Sequence, residues 1–272
     1  MTSASTPSAQ PRRPSASPGS PPSPLRRSVV AGPDLEALRA WTTEVESWPA
    51  GSHRWGQYAE RTPRGDAICR TENVSACHRG FAALARGPLA ELAAAALGGA
   101  VVDFKDKINY KQPGGAGFSP HQDIAAYPGA SRVMSILVAI DECTTTSGCI
   151  WFAPGVDELL ATDDRGVVVA DVVSRLPWEP AELAPGDALC IGGLMPHYSE
   201  ANRSAAGRRV LVASYAPAGD RYDRERYYAA REHAMDEATA RDETFRISTL
   251  ADFEGVEVGG SPTEALEACS HS

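Results

Sequence analysis

The chain has 272 residues, 43% of them hydrophobic, enough to bury the core of one large domain or two small ones. Its formal net charge of -9 leaves no surplus of lysine and arginine for a nucleic-acid or anionic-membrane surface, so neither partner is expected; the oligomeric state is left open. The six cysteines form no CxxC pair and no run reaches transmembrane length, so reduced thiols in a cytoplasmic protein are the expectation.

Residues 1 to 33 are dense in Pro and Ser and cannot bury enough apolar surface to offset chain entropy, which predicts a disordered, dispensable tail. After its second Arg-Arg pair, "SVVAGPDLEALRAW" turns polar too soon to be an export signal. Residues 34 to 255 are read as one domain. Its first part, 34 to 99, is helical by spacing. Leu35, Leu38 and Trp41 share a face behind an Asp34 N-cap, and "GPLAELAAAALGG" has Pro88 in its first turn and stops at Gly98-Gly99.

From 100 to 217 the texture changes to short β-rich runs cut by turns: "VVDFKDKINYK", "RVMSILVAID", "GCIWFAP", "GVVVADVV", "DALCIGG" and "RRVLVASYAP". This is the pattern of a sandwich or barrel. A charged helix over 220 to 244, with few strong apolar anchors, is expected on the surface. Residues 256 to 272 are expected to form a flexible end.

Within the β-rich region, "GGAGFSPHQDIAAY" places His121 and Asp123 two residues apart. On an extended segment such residues share a face, so both side chains reach one ion while Gln122 points away. Two histidines and a carboxylate form the facial triad of non-heme iron oxygenases, which leaves three coordination positions open. Among the other histidines only His197 follows a β-rich run, in "ALCIGGLMPHYSEANRS", and it is the candidate third ligand. The plain alternative is a hydrogen-bonded polar turn. Arg208 and Arg209 open a later strand and must face opposite sides, so one of them is placed to pair with a carboxylate.

The three elements "KINYKQPGGAGFSPHQD", "SGCIWFAPG" and "LAPGDALCIGGLMPHYSEANRSAAGRR" occur in the order found in the phytanoyl-CoA dioxygenase family, which includes ectoine hydroxylase and 2-aminoethylphosphonate dioxygenase, and the chain resembles that family. The resemblance implies a mainly β fold with flanking helices, a double-stranded β-helix of the jelly-roll or cupin-like type. It implies Fe(II) held by His121, Asp123 and His197, with 2-oxoglutarate and O2 as cosubstrates. Arg208 would pair with the distal carboxylate of 2-oxoglutarate, assisted by Ser199, with Phe118 nearby. Lys105, Lys107 and Asn109 share one face of their strand, which is assigned to the pocket beside the cosubstrate; a solvated strand face is the other reading of the two lysines. Tyr127 stands where relatives place an aromatic that contacts substrate, and it is also read as packing under a loop. Because Asp123 is retained, hydroxylation is expected rather than halogenation.

The expected function is therefore oxidation of a small polar metabolite or natural-product intermediate, of amino acid or aminophosphonate type, with release of succinate and CO2. Two other readings stand beside it: a non-catalytic cupin-like binding protein, and a zinc or manganese hydrolase or isomerase, which the candidate clamp at Arg208 disfavours.

Overall fold

In the computed structural model, the structure describes residues 23–49, 54–241, 247–248, 250 and 252–260. Helix α1 (Pro33–Glu46) starts with Pro at its first position, where a missing N–H costs nothing. Its N-cap is Gly32, so Asp34 lies in the first turn instead of capping it. Next comes a hairpin, β2 (Gly56–Thr62) and β3 (Gly65–Glu72), in a stretch read as helical from sequence. The signal was present in "TPRG", a turn tetrapeptide between alternating segments.

Helices α2 (Val74–Cys77), α3 (Arg79–Arg86) and α4 (Pro88–Leu97) follow, the last closed by Gly98 in the left-handed region. Contrary to the sequence expectation, Arg79–Leu97 is long and apolar enough to cross a membrane by length and composition. It is broken at Gly87–Pro88, however, and buries Phe81, Ala85, Leu89, Ala93 and Leu97.

The β-rich half supplies β4 (Val101–Lys111), β5 (Phe118–His121), β6 (Met134–Ala139), β7 (Ile150–Phe152), β8 (Glu179–Ala181), β9 (Ala188–Gly192), β10 (His197–Ser199) and β11 (Arg208–Pro217). Two antiparallel sheets result. With β1 (Leu25–Arg26) and β12 (Val256–Gly260), the larger has the order β1-β9-β6-β11-β4-β3-β2-β12, and the smaller is β5-β10-β7-β8. The mainly β jelly-roll expectation is met. "GVVVADVV" is an exception: it holds an isolated Thr162–Val168 bridge and a short helix, α5 (Ala170–Val173).

Strand alternation partitions the core. On the larger sheet Ile108, Tyr110, Ile136, Val138, Leu211 and Tyr215 pack beneath α1, α3 and α4, and Leu137, Ala139, Leu189, Val210 and Val212 face the smaller sheet. The inter-sheet layer holds the site.

Both ends of the chain are more ordered than composition suggests. Residues 23–33 are not tail: β1 pairs with β9, Val30 is buried, and Asp187 accepts from Ser28 N and pairs with Arg27. Likewise β12 pairs with β2, so residues 256–260 are strand where a flexible end was expected. The disordered tail expected over residues 1–22 and the flexible end expected over 261–272 lie outside the described residues. Cys69, Cys143, Cys149 and Cys190 are free and buried. Cys77 is disulfide-bonded, a departure from a uniformly reduced set.

The charged helix α6 (Arg224–Ala240) is not merely superficial. Tyr227 and Arg231 are buried, and Arg224 pairs with Asp103 and Asp106 at 3.0 and 2.7 Å.

Candidate active site

His121 ends β5, and Gln122 continues in extended geometry, so His121 and Asp123 emerge on the same side. Gln122 points the other way, donating to the Glu158 and Leu194 carbonyls and accepting from Leu160 N, which ties the motif to two loops. Register then delivers the third residue: His197 on β10 is the direct antiparallel partner of His121 on β5. Directly opposed residues are the closest side-chain neighbours a sheet offers, and the two imidazole centroids lie 4.3 Å apart.

His121 Nε2 and His197 Nε2 each lie 3.9 Å from Asp123 Oδ1, too far to hydrogen-bond to it. The three donor atoms fall within 4.8 Å of one another, and His121 and His197 are buried. Each imidazole turns its Nδ1 to a backbone carbonyl, Ser119 at 2.8 Å and Met195 at 3.0 Å, which leaves Nε2 as a free lone pair facing the carboxylate. The other carboxylate oxygen, Asp123 Oδ2, accepts from Ser135 Oγ at 3.0 Å.

Burial alone would raise the Asp123 carboxyl, but His197, His121, Lys107 and Lys105 together carry it down to about 2. Burial, with His121 beside it, lowers His197 to about 4. At neutral pH the cluster is thus one carboxylate and one neutral imidazole lone pair at His197, with His121 oriented alongside. A borderline N2O donor set, converging and unbridged by hydrogen bonds, fits Fe(II).

The cavity beside the triad is lined by all three sequence-assigned residues of β4, Lys105, Lys107 and Asn109, and by Phe118, Tyr127 and Ser199. The lysines therefore do not lie on a solvated face. Burial drives Lys105 down to about 8 and Lys107 well below the ordinary lysine value, with Arg70 and Lys105 adding to the effect on Lys107. Lys105 Nζ donates to Tyr127 Oη at 3.3 Å and sits 5.3 and 5.0 Å from the ring centroids of Tyr127 and Tyr227. Tyr127 thus both lines the cavity and packs on Phe104 and Tyr227.

Arg208 is buried and points inward, whereas Arg209 is turned outward and paired with Asp141 at 2.7 Å. Arg208 does not line the cavity. It sits behind it, donating to the carbonyl of Gly148, with its Nε lacking any hydrogen-bond partner. Gly148 adopts φ +72°, and a Cβ there would come within 2.4 Å of the Glu200 carbonyl. Lys111, opposite Arg208 in the β4–β11 register, donates from Nζ to Oγ of the cavity residue Ser199 at 2.8 Å. A buried guanidinium with an unmet donor fits an anionic ligand.

Sequence reasoning missed four residues. Lys111 continues the 105-107-109 alternation and was legible; Arg70 lay in the strand mistaken for helix. Ser135 carried no signal. Asp252, from the C-terminal segment, lines the cavity and comes within 3.1 Å of His121 Nδ1.

Comparison with known proteins agrees with this geometry. The model of the phytanoyl-CoA dioxygenase (PhyH) family matches residues 26–210. The chain is 34% identical over 226 residues to methylphosphonate hydroxylase of Gimesia maris, covering 82% of this chain and 87% of the relative. It is 34% identical over 185 residues to 2-aminoethylphosphonate dioxygenase of an uncultured bacterium (HF130_AEPn_1), covering 65% and 71%. Among solved structures, EctD from S. alaskensis with 2-oxoglutarate and 5-hydroxyectoine superposes with TM-score 0.60 at 18% identity, covering 72% of each chain. The inter-sheet His-Asp-His cluster, the family match over most of the fold and these relatives agree: the chain belongs to the phytanoyl-CoA dioxygenase family and is an Fe(II)- and 2-oxoglutarate-dependent dioxygenase.

Proposed function

We propose that the protein hydroxylates a small phosphonate at a C–H bond. The observation that carries this reading is the cationic wall formed by Lys105, Lys107 and Arg70 in the same cavity as the triad. Burial makes the charged form of both lysines costly in the empty cavity, and a bound oxyanion offsets that cost, so the wall favours a compact anion over a neutral molecule of equal size. Two relatives that act on phosphonates by name support the choice of anion.

Two anions must be accommodated, the substrate and 2-oxoglutarate. Strand β4 separates them. Lys105 and Lys111 lie six residues apart on one face, about 20 Å along the strand at ~3.3 Å per residue. The Arg208, Lys111 and Ser199 end takes the distal carboxylate of 2-oxoglutarate, and the Lys105 end takes the phosphonate, with Tyr127 and Phe118 as apolar walls.

His121, Asp123 and His197 would hold the iron, which supplies, with 2-oxoglutarate and O2, the oxidising power for hydroxylation, succinate and CO2 being released. The residues of the chain bind and orient. Ser135 holds one oxygen of Asp123, leaving the other for the metal, and the cationic wall fixes the phosphonate so that its neighbouring carbon faces the triad.

The test is incubation of iron-loaded protein with methylphosphonate or 2-aminoethylphosphonate, 2-oxoglutarate and O2, following succinate together with the phosphorus NMR of the products. A hydroxylated phosphonate formed in step with succinate is expected, with loss of both in His197→Ala. Succinate formation coupled to a non-phosphonate metabolite, with neither phosphonate consumed, would reject the substrate assignment.

A further inference from the structure

Asp252 comes from a C-terminal strap that is remote in sequence from the HxD motif and is stitched along the free edge of β5. Ser119 N donates to the Asp252 carbonyl at 2.8 Å, Phe118 bridges Phe253, and Glu254 N donates to the Gly117 carbonyl at 3.1 Å. The rings of Phe118 and Phe253 lie 5.1 Å apart, and Ser119 Oγ donates to Glu254 Oε1 at 3.0 Å.

This stitching sets the Asp252 carboxylate, 3% exposed, against the back of His121. Its Oδ2 is 3.1 Å from Nδ1, and its Oδ1 has no hydrogen-bond partner. A buried carboxylate is costly without a charge or donor beside it, and among the described residues the His121 ring N–H is the charge-bearing group within reach. The two histidines therefore differ. His197 Nδ1 faces only the Met195 carbonyl, whereas His121 Nδ1 faces both the Ser119 carbonyl and a carboxylate.

We propose that Asp252 is a positioning residue for His121: its carboxylate shares the Nδ1–H with the Ser119 carbonyl and fixes the ring with Nε2 toward Asp123 and His197. The inference rests on the reading of the triad as a metal site. A carboxylate behind a ligating histidine raises its basicity and locks its tautomer, and removing such a partner costs about 10–100-fold in metal affinity.

Anaerobic titration of the full-length apoprotein with Fe(II), repeated with Mn(II), measures this directly by calorimetry without recourse to turnover. Asp252→Ala is expected to weaken metal binding by roughly 10–100-fold. Asp252→Asn, which keeps an acceptor but loses the charge, should weaken it less. Glu254→Gln changes the charge of the same strap, keeps an acceptor for Ser119 Oγ, lies away from His121, and should bind metal as the unaltered protein does.

Unchanged affinity in Asp252→Ala would overturn the proposal, as would an equal loss in Glu254→Gln, which would make the effect one of strap docking. A rise in KM confined to an amine-bearing substrate, with metal affinity intact, would assign Asp252 to the substrate instead. Failure of the metal reading is a separate result: His197→Ala would then retain the metal, whereas loss there with retention in Asp252→Ala sinks only the role of Asp252.

Discussion

Two adjacent arginines on β11 have opposite fates because successive side chains on a strand point to opposite faces. Arg208 is buried with an unmet Nε–H, and Arg209 closes a salt bridge with Asp141 at the edge of the site's scaffold. Loss of a buried charge pair to a bound carboxylate costs about 2–5 kcal/mol, so Arg208→Ala should raise the apparent KM for 2-oxoglutarate by roughly thirtyfold to several thousandfold while metal binding persists. Arg209→Ala should leave that KM nearly unchanged, since its part-buried, bidentate pair with Asp141 serves the scaffold. Equal effects would show that the β11 register does not select the cosubstrate ligand.

Lys105 makes a second prediction at this scale. Burial brings its ammonium down to about 8, so it is charged below that pH and neutral above it. Since kcat/KM reports groups of the free enzyme, the value for a phosphonate should fall as pH rises through 8, by up to about tenfold per pH unit. Lys105→Met should lower kcat/KM at pH 7 and abolish that alkaline limb. A limb unchanged in position in the variant would assign it to another group.

At the scale of elements, the edge strands are where composition misleads. The N-terminal 33 residues are dense in Pro and Ser, yet β1 adds to the free edge of β9 and Val30 enters the core beneath α1. Backbone pairing is available to almost any sequence once an edge is there to receive it. Removal of residues 1–22 should therefore leave the melting temperature unchanged. Removal of 1–32 discards a buried valine, worth about 1.5–3 kcal/mol, and the partners of Asp187. A fall of roughly 4–10 °C is expected on thermal denaturation, at about 2–4 °C per kcal/mol for a domain of this size. Equal melting temperatures for the two truncations would place residues 23–32 outside the cooperative fold.

Across the whole molecule, the site is a product of one register and one long return. The HxD spacing needed only an extended backbone to put His121 and Asp123 on one face, and the "PHYSEANRS" segment was recognisable as the distal half. Alternation along β4 made Lys105, Lys107 and Asn109 legible as one face, because a period of two survives any tertiary arrangement. Sequence by itself thus determined the β-rich sandwich-or-barrel class, the candidate ligand types and which residues of β4 share a face. Tertiary structure alone decided that His197 stands directly opposite His121, that the lysine face turns inward to a cavity, and that Arg70 from the β2–β3 hairpin and Asp252 from the C-terminal strap join it. The physical reason is that spacing within a strand is set by local backbone geometry, whereas the pairing of distant segments depends on which apolar faces bury together, and no local pattern encodes that choice.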